Sequence, residues 1–158
     1  MIFVTLGSQK FQFNRLLESL DQLIEDGILK DEVFAQIGYS EYLPKNFSYE
    51  KFMDRESFST KMQQADIVIT HGGTGAIVGA VKKKKKVIAV PRKSEFGEHV
   101  DDHQTQIVDQ FVDLNLICAC YDTNGLMESI NEVKNSYYAE YQSNTQTIID
   151  DIVNYLEE

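Results

Sequence analysis

"DIVITHGGTGAIVGAVKKKKKVIAVPR", residues 66–92, reads as strand, turn, helix and strand in succession. DIVIT and VIAVP are short unbroken apolar runs rich in branched residues, the pattern of strands buried on both faces. Between them THGGTGA is a glycine-rich corner, and a helix begins near Thr74.

The same alternation extends in both directions. MIFVTLG opens the chain as a strand ending in Gly7. NRLLESLDQLIEDG carries Leu16, Leu17, Leu20, Leu23 and Ile24 at helical spacing, with Gly27 as its stop. DEVFAQIG is a second strand, residues 39–53 read as irregular and tyrosine-rich, and RESFSTKMQQA is a short helix. Beyond VIAVP come a polar loop to Asp102, a helix from His103 to Leu114, and LICACY as the last strand. NGLMESINEVKN is a helix, and a long helix closes the chain. Strands alternating with helices and reading as continuous apolar runs predict an α/β domain, a parallel sheet with helices on both faces.

With 158 residues, 42 % hydrophobic, and two prolines, the chain is long enough for one core, so a single domain over 1–158 is expected. The opening MIFVTLGSQ has no basic stretch ahead of its short apolar run, unlike a signal peptide. No apolar stretch approaches the roughly 18 residues that span a bilayer. Cys118 and Cys120 sit two apart on one face of LICACY, which reads as two reduced core thiols in a cytosolic protein. A net charge of −10 argues against nucleic acid as a partner.

The glycine corner admits two readings. A helix N-terminus presents unpaired N–H groups and a partial positive charge, and ligands of open parallel sheets bind beyond the carboxyl ends of strands. That makes the corner an anion site. The plainer reading is a tight turn packed with small residues. Gly73-Thr74-Gly75 is followed by Val78 where the dinucleotide fingerprint has its third glycine, and no glycine precedes Lys-Ser or Lys-Thr. A nicotinamide enzyme and a P-loop NTPase are thereby disfavoured, and a diphosphate cradle of another kind remains.

"HGGTG", "VIAVPR" and "EHVDDHQ" stand within residues 71–104. In that order and spacing they resemble the C-terminal, donor-binding domain of family 28 glycosyltransferases. The resemblance runs over almost the whole chain. It is nearest to the small one-domain members: the catalytic subunit of the bipartite N-acetylglucosaminyltransferase of asparagine-linked glycosylation, and bacterial exopolysaccharide and capsule counterparts. It implies a single Rossmann-like domain equivalent to the C-terminal half of a GT-B fold, a UDP-sugar donor, and no cofactor or metal.

By that resemblance, Gly72, Gly73, Thr74 and Gly75 hold the nucleotide diphosphate, the Thr74 hydroxyl donating to a phosphate oxygen and capping the helix. Gly7 and Ser8 face the same cleft. The loop after VIAVP closes over nucleotide and sugar, with Arg92, Glu98 and His99 at its rim. The family's Asp-x-Gln element falls on Asp102, His103 and Gln104, and the Gln104 amide is the expected reader of sugar hydroxyls. Many relatives carry a ribose-binding glutamate where this chain has Gly79, and glycine in the turn where it has Lys84.

Lys82 to Lys86 read either as a solvated helix end complementing the dipole, or as a patch attracted to anionic lipid. His99 and His103 are four apart, but the helix starts near His103 and leaves His99 in the loop, against a zinc pair. His71 is read as orienting the turn. Negative charge on the departing nucleoside diphosphate is met by the helix N-terminus, helped by Arg92. For the acceptor's base, Glu98, His99 and Asp102 are candidates, or a group of another protein.

The resemblance also implies a missing half. A membrane-associated, acceptor-binding subunit supplies it, placing the chain in the cytoplasm at the inner face of the membrane as part of a heterodimer. Tyr141, Ile148, Ile152, Tyr155 and Leu156 form one apolar stripe of the closing helix, its tip open to that partner. Tyr39, Tyr42 and Tyr49 are further candidates for the contact. The expected activity is transfer of a hexose, galactose or glucose, to a lipid-linked sugar in bacterial capsule or exopolysaccharide synthesis. The alternative is a non-catalytic, nucleotide-binding scaffold subunit.

Overall fold

The computed structural model describes residues 1–142 and 144–157, the side chains of 156 and 157 excepted. The described chain runs β1 (Ile2–Thr5), α1 (Asn14–Glu25), β2 (Val33–Gln36), β3 (Ser48–Glu50), α2 (Arg55–Gln64), β4 (Ile67–His71), α3 (Thr74–Lys82) and β5 (Lys86–Val90). After a short 3-10 turn (Ser94–Phe96) come α4 (His103–Asp113), β6 (Cys118–Ala119), α5 (Leu126–Asn135) and α6 (Thr145–Glu157). The sheet order is β3-β2-β1-β4-β5-β6, with every pair parallel. This is the doubly wound order of the Rossmann fold.

Alternation along the strands divides the core in two. Ile2, Val4 and Leu6 of the first strand and its exit, with Ile67, Ile69, Ile88 and Val90, pack on α1 and α5. Phe3, Val68, Val87 and Ala89 face the other way, against α2, α3, α4 and α6. α1 presents Leu16, Leu17 and Leu20, one helical face, to the first layer. Cys118 and Cys120 are free and buried, as their spacing predicts.

The structure differs from the sequence reading at three places. Residues 39–53 contain β3, an edge strand with the sequence SYE, whose two outer residues are exposed. Paired on one side only, it needs no apolar run and leaves no periodic signal. Its irregular approach is tied to α1 by Asp21, which accepts the Tyr42 hydroxyl and the main-chain N–H groups of Lys45 and Asn46. LICACY narrows to the pair Cys118–Ala119, although Cys120 N–H still donates to Ala89 O.

The third difference is the closing helix. α6 starts at Thr145, so Tyr141 precedes it, and Ile149, Ile152 and Val153 pack against Ile107, Phe111 and Leu114 of the α4 region. Ile148 and Tyr155 are exposed, and the Leu156 side chain lies outside the described residues. The face that meets α4, not the widest apolar stripe, decides what is buried.

The connection between β1 and β4 sets the functional end. The chain leaves β1 toward β2 and β3, then returns to β1's other side as β4. Thr5 and Thr70 are register partners, so Gly7 and Gly72 emerge side by side where the winding reverses. A crevice at such a switch point is where open α/β sheets bind ligands.

Candidate functional site

Gly7 takes φ +73°, a left-handed conformation that L side chains avoid, and a Cβ there would stand 2.7 Å from His71 Nε2. Gly72 is as tightly placed, its missing Cβ 2.7 Å from the Gln104 Cβ. A Cβ at Gly73 would overlap the His71 imidazole. These three glycines let β1, β4 and α4 approach at the crevice floor, so the packing reading of the corner holds for Gly72 and Gly73. Gly75 is different: it is exposed, with nothing within 4 Å of a Cβ built there.

α3 starts with Gly73 as its N-cap and no side-chain cap bond, so Thr74 lies inside the first turn and does not cap it. Ile77 N–H is the first to find an acceptor at the helix start, Gly73 O at 3.1 Å. The N–H groups of Thr74, Gly75 and Ala76 have no acceptor among the described residues. No acid occupies this first turn. The result is an exposed, electropositive helix end beside the crevice.

His71 is buried at the end of β4. Burial, then the nearby Arg92 guanidinium and His99, push its pKa down to about 4, so the ring is neutral at physiological pH. Gln104, also buried, accepts the N–H of Gly72 at 3.1 Å and of Arg92 at 3.0 Å through Oε1. Both oxygen lone-pair directions are therefore used within the chain, which ties the end of β4 to the loop after β5.

Arg92 and Glu98 depart further from the expected rim. Arg92 is 1 % exposed, and its guanidinium donates to the carbonyls of Leu6, Phe11, Gln12 and Glu98. Burial lowers its pKa to about 10, while Glu98 acts in the opposite sense. Glu98 is fully buried and accepts Arg15 Nε and Nη2, each at 3.0 Å, and Lys93 N–H at 3.0 Å. A carboxylate sealed under an arginine cannot reach an acceptor hydroxyl. Together these side chains staple the β1–α1 loop to the β5–α4 loop. Arg15, whose part the sequence reading missed, carries no signal there beyond its place at the start of α1.

The remaining residues stay near the surface. His99 stacks on Phe11, with ring centroids 5.3 Å apart, and its Nδ1 lies 3.2 Å from Asp101 Oδ1. Asp102 accepts the N–H and Oγ of Ser94, closing the loop, and His103 is exposed at the first position of α4. Ser8 is exposed beside Gly7. Thus Gly7, His71, Gly72, Gly73 and Gln104 meet at the crevice floor, Thr74 and Gly75 form its helical wall, and Arg92 and Glu98 lie beneath the loops.

Residues 1–155 match the profile of the Glycosyltransferase family 28 C-terminal domain. The chain belongs to that family.

Among the relatives of this glycosyltransferase domain is the UDP-N-acetylglucosamine transferase subunit ALG13 of Saccharomyces cerevisiae. It is 39 % identical over 71 residues, 42 % of this chain and 33 % of the yeast protein. The Candida glabrata protein of the same name is 28 % identical over 127 residues, 76 % of this chain and 58 % of that one. The chain thus spans a third to somewhat over half of these relatives' lengths. In fold it is similar to the NMR solution structure of ALG13, with a TM-score of 0.64 at 18 % identity, covering 99 % of this chain and 96 % of that one. The calicheamicin glycosyltransferase CalG4 gives a TM-score of 0.61 at 17 % identity, over 99 % of this chain and 37 % of that chain.

The glycosyltransferase domain's lysine run lies at the far end of α3 and is partly engaged. Lys85 Nζ donates to the carbonyls of Gln63 and Ala65, and Lys86 Nζ donates to that of Lys134. Lys82 Nζ sits 5.0 Å from the centre of the Tyr141 ring. Gly79 is exposed, with open space around it. Of the three tyrosines, Tyr39 is exposed and meets Phe52 edge-on, whereas the Tyr42 hydroxyl is held by Asp21 and Tyr49 packs on the core.

Proposed function

We propose that this domain is the donor-binding, catalytic subunit of a two-component glycosyltransferase, and that its donor is a UDP-sugar. The observation that carries the reading is the start of α3: three unpaired N–H groups at Thr74, Gly75 and Ala76, beside an exposed glycine that the chain's own packing does not require. A pyrophosphate fills such a place, and charge growing on the departing UDP is stabilised there.

With Glu98 sealed, the base that activates the acceptor is His99, Asp102 or a group of the partner subunit. The partner is membrane-associated and binds the acceptor, a lipid-linked sugar of bacterial capsule or exopolysaccharide assembly. Through it the domain sits in the cytoplasm at the inner face of the membrane. No described helix is long and apolar enough to cross a membrane. The transferred sugar is a hexose, galactose or glucose; N-acetylglucosamine, in the names of the relatives, is the comparison arm of any donor panel.

Titration of the ¹⁵N-labelled chain with UDP tests the reading. Shifts concentrated at the amides of Gly73, Thr74, Gly75 and Ala76 are expected, and no response at millimolar UDP overturns it. Transfer by the domain with membranes carrying the partner, across UDP-sugars, then names the sugar. The engagement of Gln104 and Glu98 within the chain favours a second reading, a nucleotide-binding scaffold without catalysis. Unchanged transfer when Gly75→Val blocks the corner would select the scaffold.

A further inference from the structure

β6 is the last strand of the sheet, paired with β5 on one side and with no strand on the other among the described residues. Cys120 N–H donates to Ala89 O, so alternation turns the N–H and C=O of Ala119 away from β5. The chain itself closes the start of this edge: Ala139 N–H takes Asn115 O at 2.8 Å, and Ile117 is buried. Beyond Ile117 the edge is open. Among the described residues Tyr121 N–H meets no acceptor, and Ala119 O receives only the Cys118 thiol, 3.8 Å away.

This open stretch floors a groove of about 400 Å³ between the end of α4 and the end of α5. Val112, Tyr121 and Tyr137, each exposed, give it apolar walls. Its charge has one sign. Glu132 lines it from α5, and on the α4 side Asp109 accepts the Tyr121 hydroxyl. Asp113, one helical turn on, is close enough to act on the same hydroxyl. No Lys or Arg lines the groove, and none of the three carboxylates forms a salt bridge among the described residues. Lys86 reaches only the Tyr137 ring, 5.8 Å away, and its Nζ already donates to Lys134 O.

An edge whose main-chain groups are unpaired is a template for another strand. A second copy of this chain, edge to edge, would bring the same carboxylates together, and like charges across such a contact oppose it. We infer that the β6 edge accepts an extended segment of a partner protein with neighbouring Lys and Arg residues. Its main chain pairs with Ala119 and Tyr121. Successive side chains then fall on opposite sides of the sheet, one cation toward Glu132 and the next toward Asp109 and Asp113. The surface lies two strands from β4, apart from the donor crevice, and does not rest on the nucleotide reading.

The probe is the capped peptide Thr-Val-Lys-Arg-Val-Thr, titrated to millimolar concentration into the ¹⁵N-labelled full-length chain. Amide shifts centred on Ala119 and Tyr121 are expected, with slowed hydrogen exchange at Ala119. Glu132→Lys is expected to weaken the peptide about fivefold, the upper scale of one exposed ion pair. Ala119→Pro removes the outward N–H at a place where an edge strand tolerates proline, and it should abolish binding. The acidic peptide Thr-Val-Glu-Glu-Val-Thr should give no response.

An absence of shifts at those amides, shifts centred elsewhere, or equal binding of the acidic peptide overturns the proposal. Broadening of the same amides as protein concentration rises, with no peptide present, would make a second copy the occupant and overturn it too. If Ala119→Pro does not fold, Glu132→Lys decides alone: peptide affinity unchanged in that variant refutes the charge pairing on which the choice of partner stands.

Discussion

Arg15 on α1 and Glu98 in the β5–α4 loop form a two-pronged ion pair, with Nε and Nη2 each 3.0 Å from a carboxylate oxygen. The arginine is partly exposed and the glutamate fully buried, so the partners are not equivalent. Truncating Glu98 removes the acceptor from Arg15 and from Lys93 N–H, whereas truncating Arg15 strands a buried carboxylate. Arg15→Met is expected to cost about 3 kcal/mol, and Glu98→Gln, which preserves shape and one oxygen, about 1 kcal/mol less. Urea unfolding measures both. Equal stability of all three proteins would show that the pair does not staple the loops.

Glycines in the corner separate by packing. Gly72→Ala and Gly73→Ala drive a methyl into Gln104 and His71 and are expected to cost about 2 kcal/mol each. Gly75→Ala meets no atom and should be neutral or stabilising by up to about 1 kcal/mol. The proposed function adds that Gly75→Ala weakens UDP binding despite this stability. Thermal melts and UDP titration of the same three proteins decide whether the open position serves a ligand.

At the far end of α3 the chain stores local strain. Lys84 has φ +61°; its N–H donates to Val81 O, while Lys85 N–H donates to Ala80 O, the paired closure of a Schellman cap. The left-handed residue of that cap favours glycine. Lys84→Gly is expected to stabilise by about 1 kcal/mol, against the usual cost of introducing glycine. A lower melting temperature would contradict the cap.

His71 links stability to pH. Its folded pKa of about 4 lies below the ordinary 6.5, so the unfolded chain takes up this proton first as pH falls. The contribution to stability is complete above pH 6.5 and is lost as pH descends toward 4. Between pH 7 and 5 the loss amounts to about 2 kcal/mol. In His71→Gln this component disappears, so the difference between the two proteins' urea midpoints should shrink on acidification. Parallel pH profiles would place His71 in contact with solvent instead.

The closely packed strands were legible because each one is an unbroken apolar run, and IFVT, IVITH and KVIAV all appear where the alternation predicts them. β3 was not, since SYE at a sheet edge is fixed by pairing with β2 and not by its own composition. The closing helix was legible as a helix but only partly in its buried face, because α4 takes Ile149, Ile152 and Val153 and leaves Ile148 and Tyr155 exposed.

By itself the sequence determined the doubly wound class, the place of the glycine corner at a strand-to-helix turn, and the family. All three are properties of local runs and spacing, which survive without knowing what lies across the fold. Only the tertiary structure decided what the polar residues of the motif do. Arg92, Glu98 and Gln104 read as cleft residues along the chain, yet Leu6, Phe11, Arg15 and Gly72 arrive from distant segments and enclose them. Once buried, a charge or an amide must satisfy its nearest partners, and those partners are set by packing rather than by sequence order.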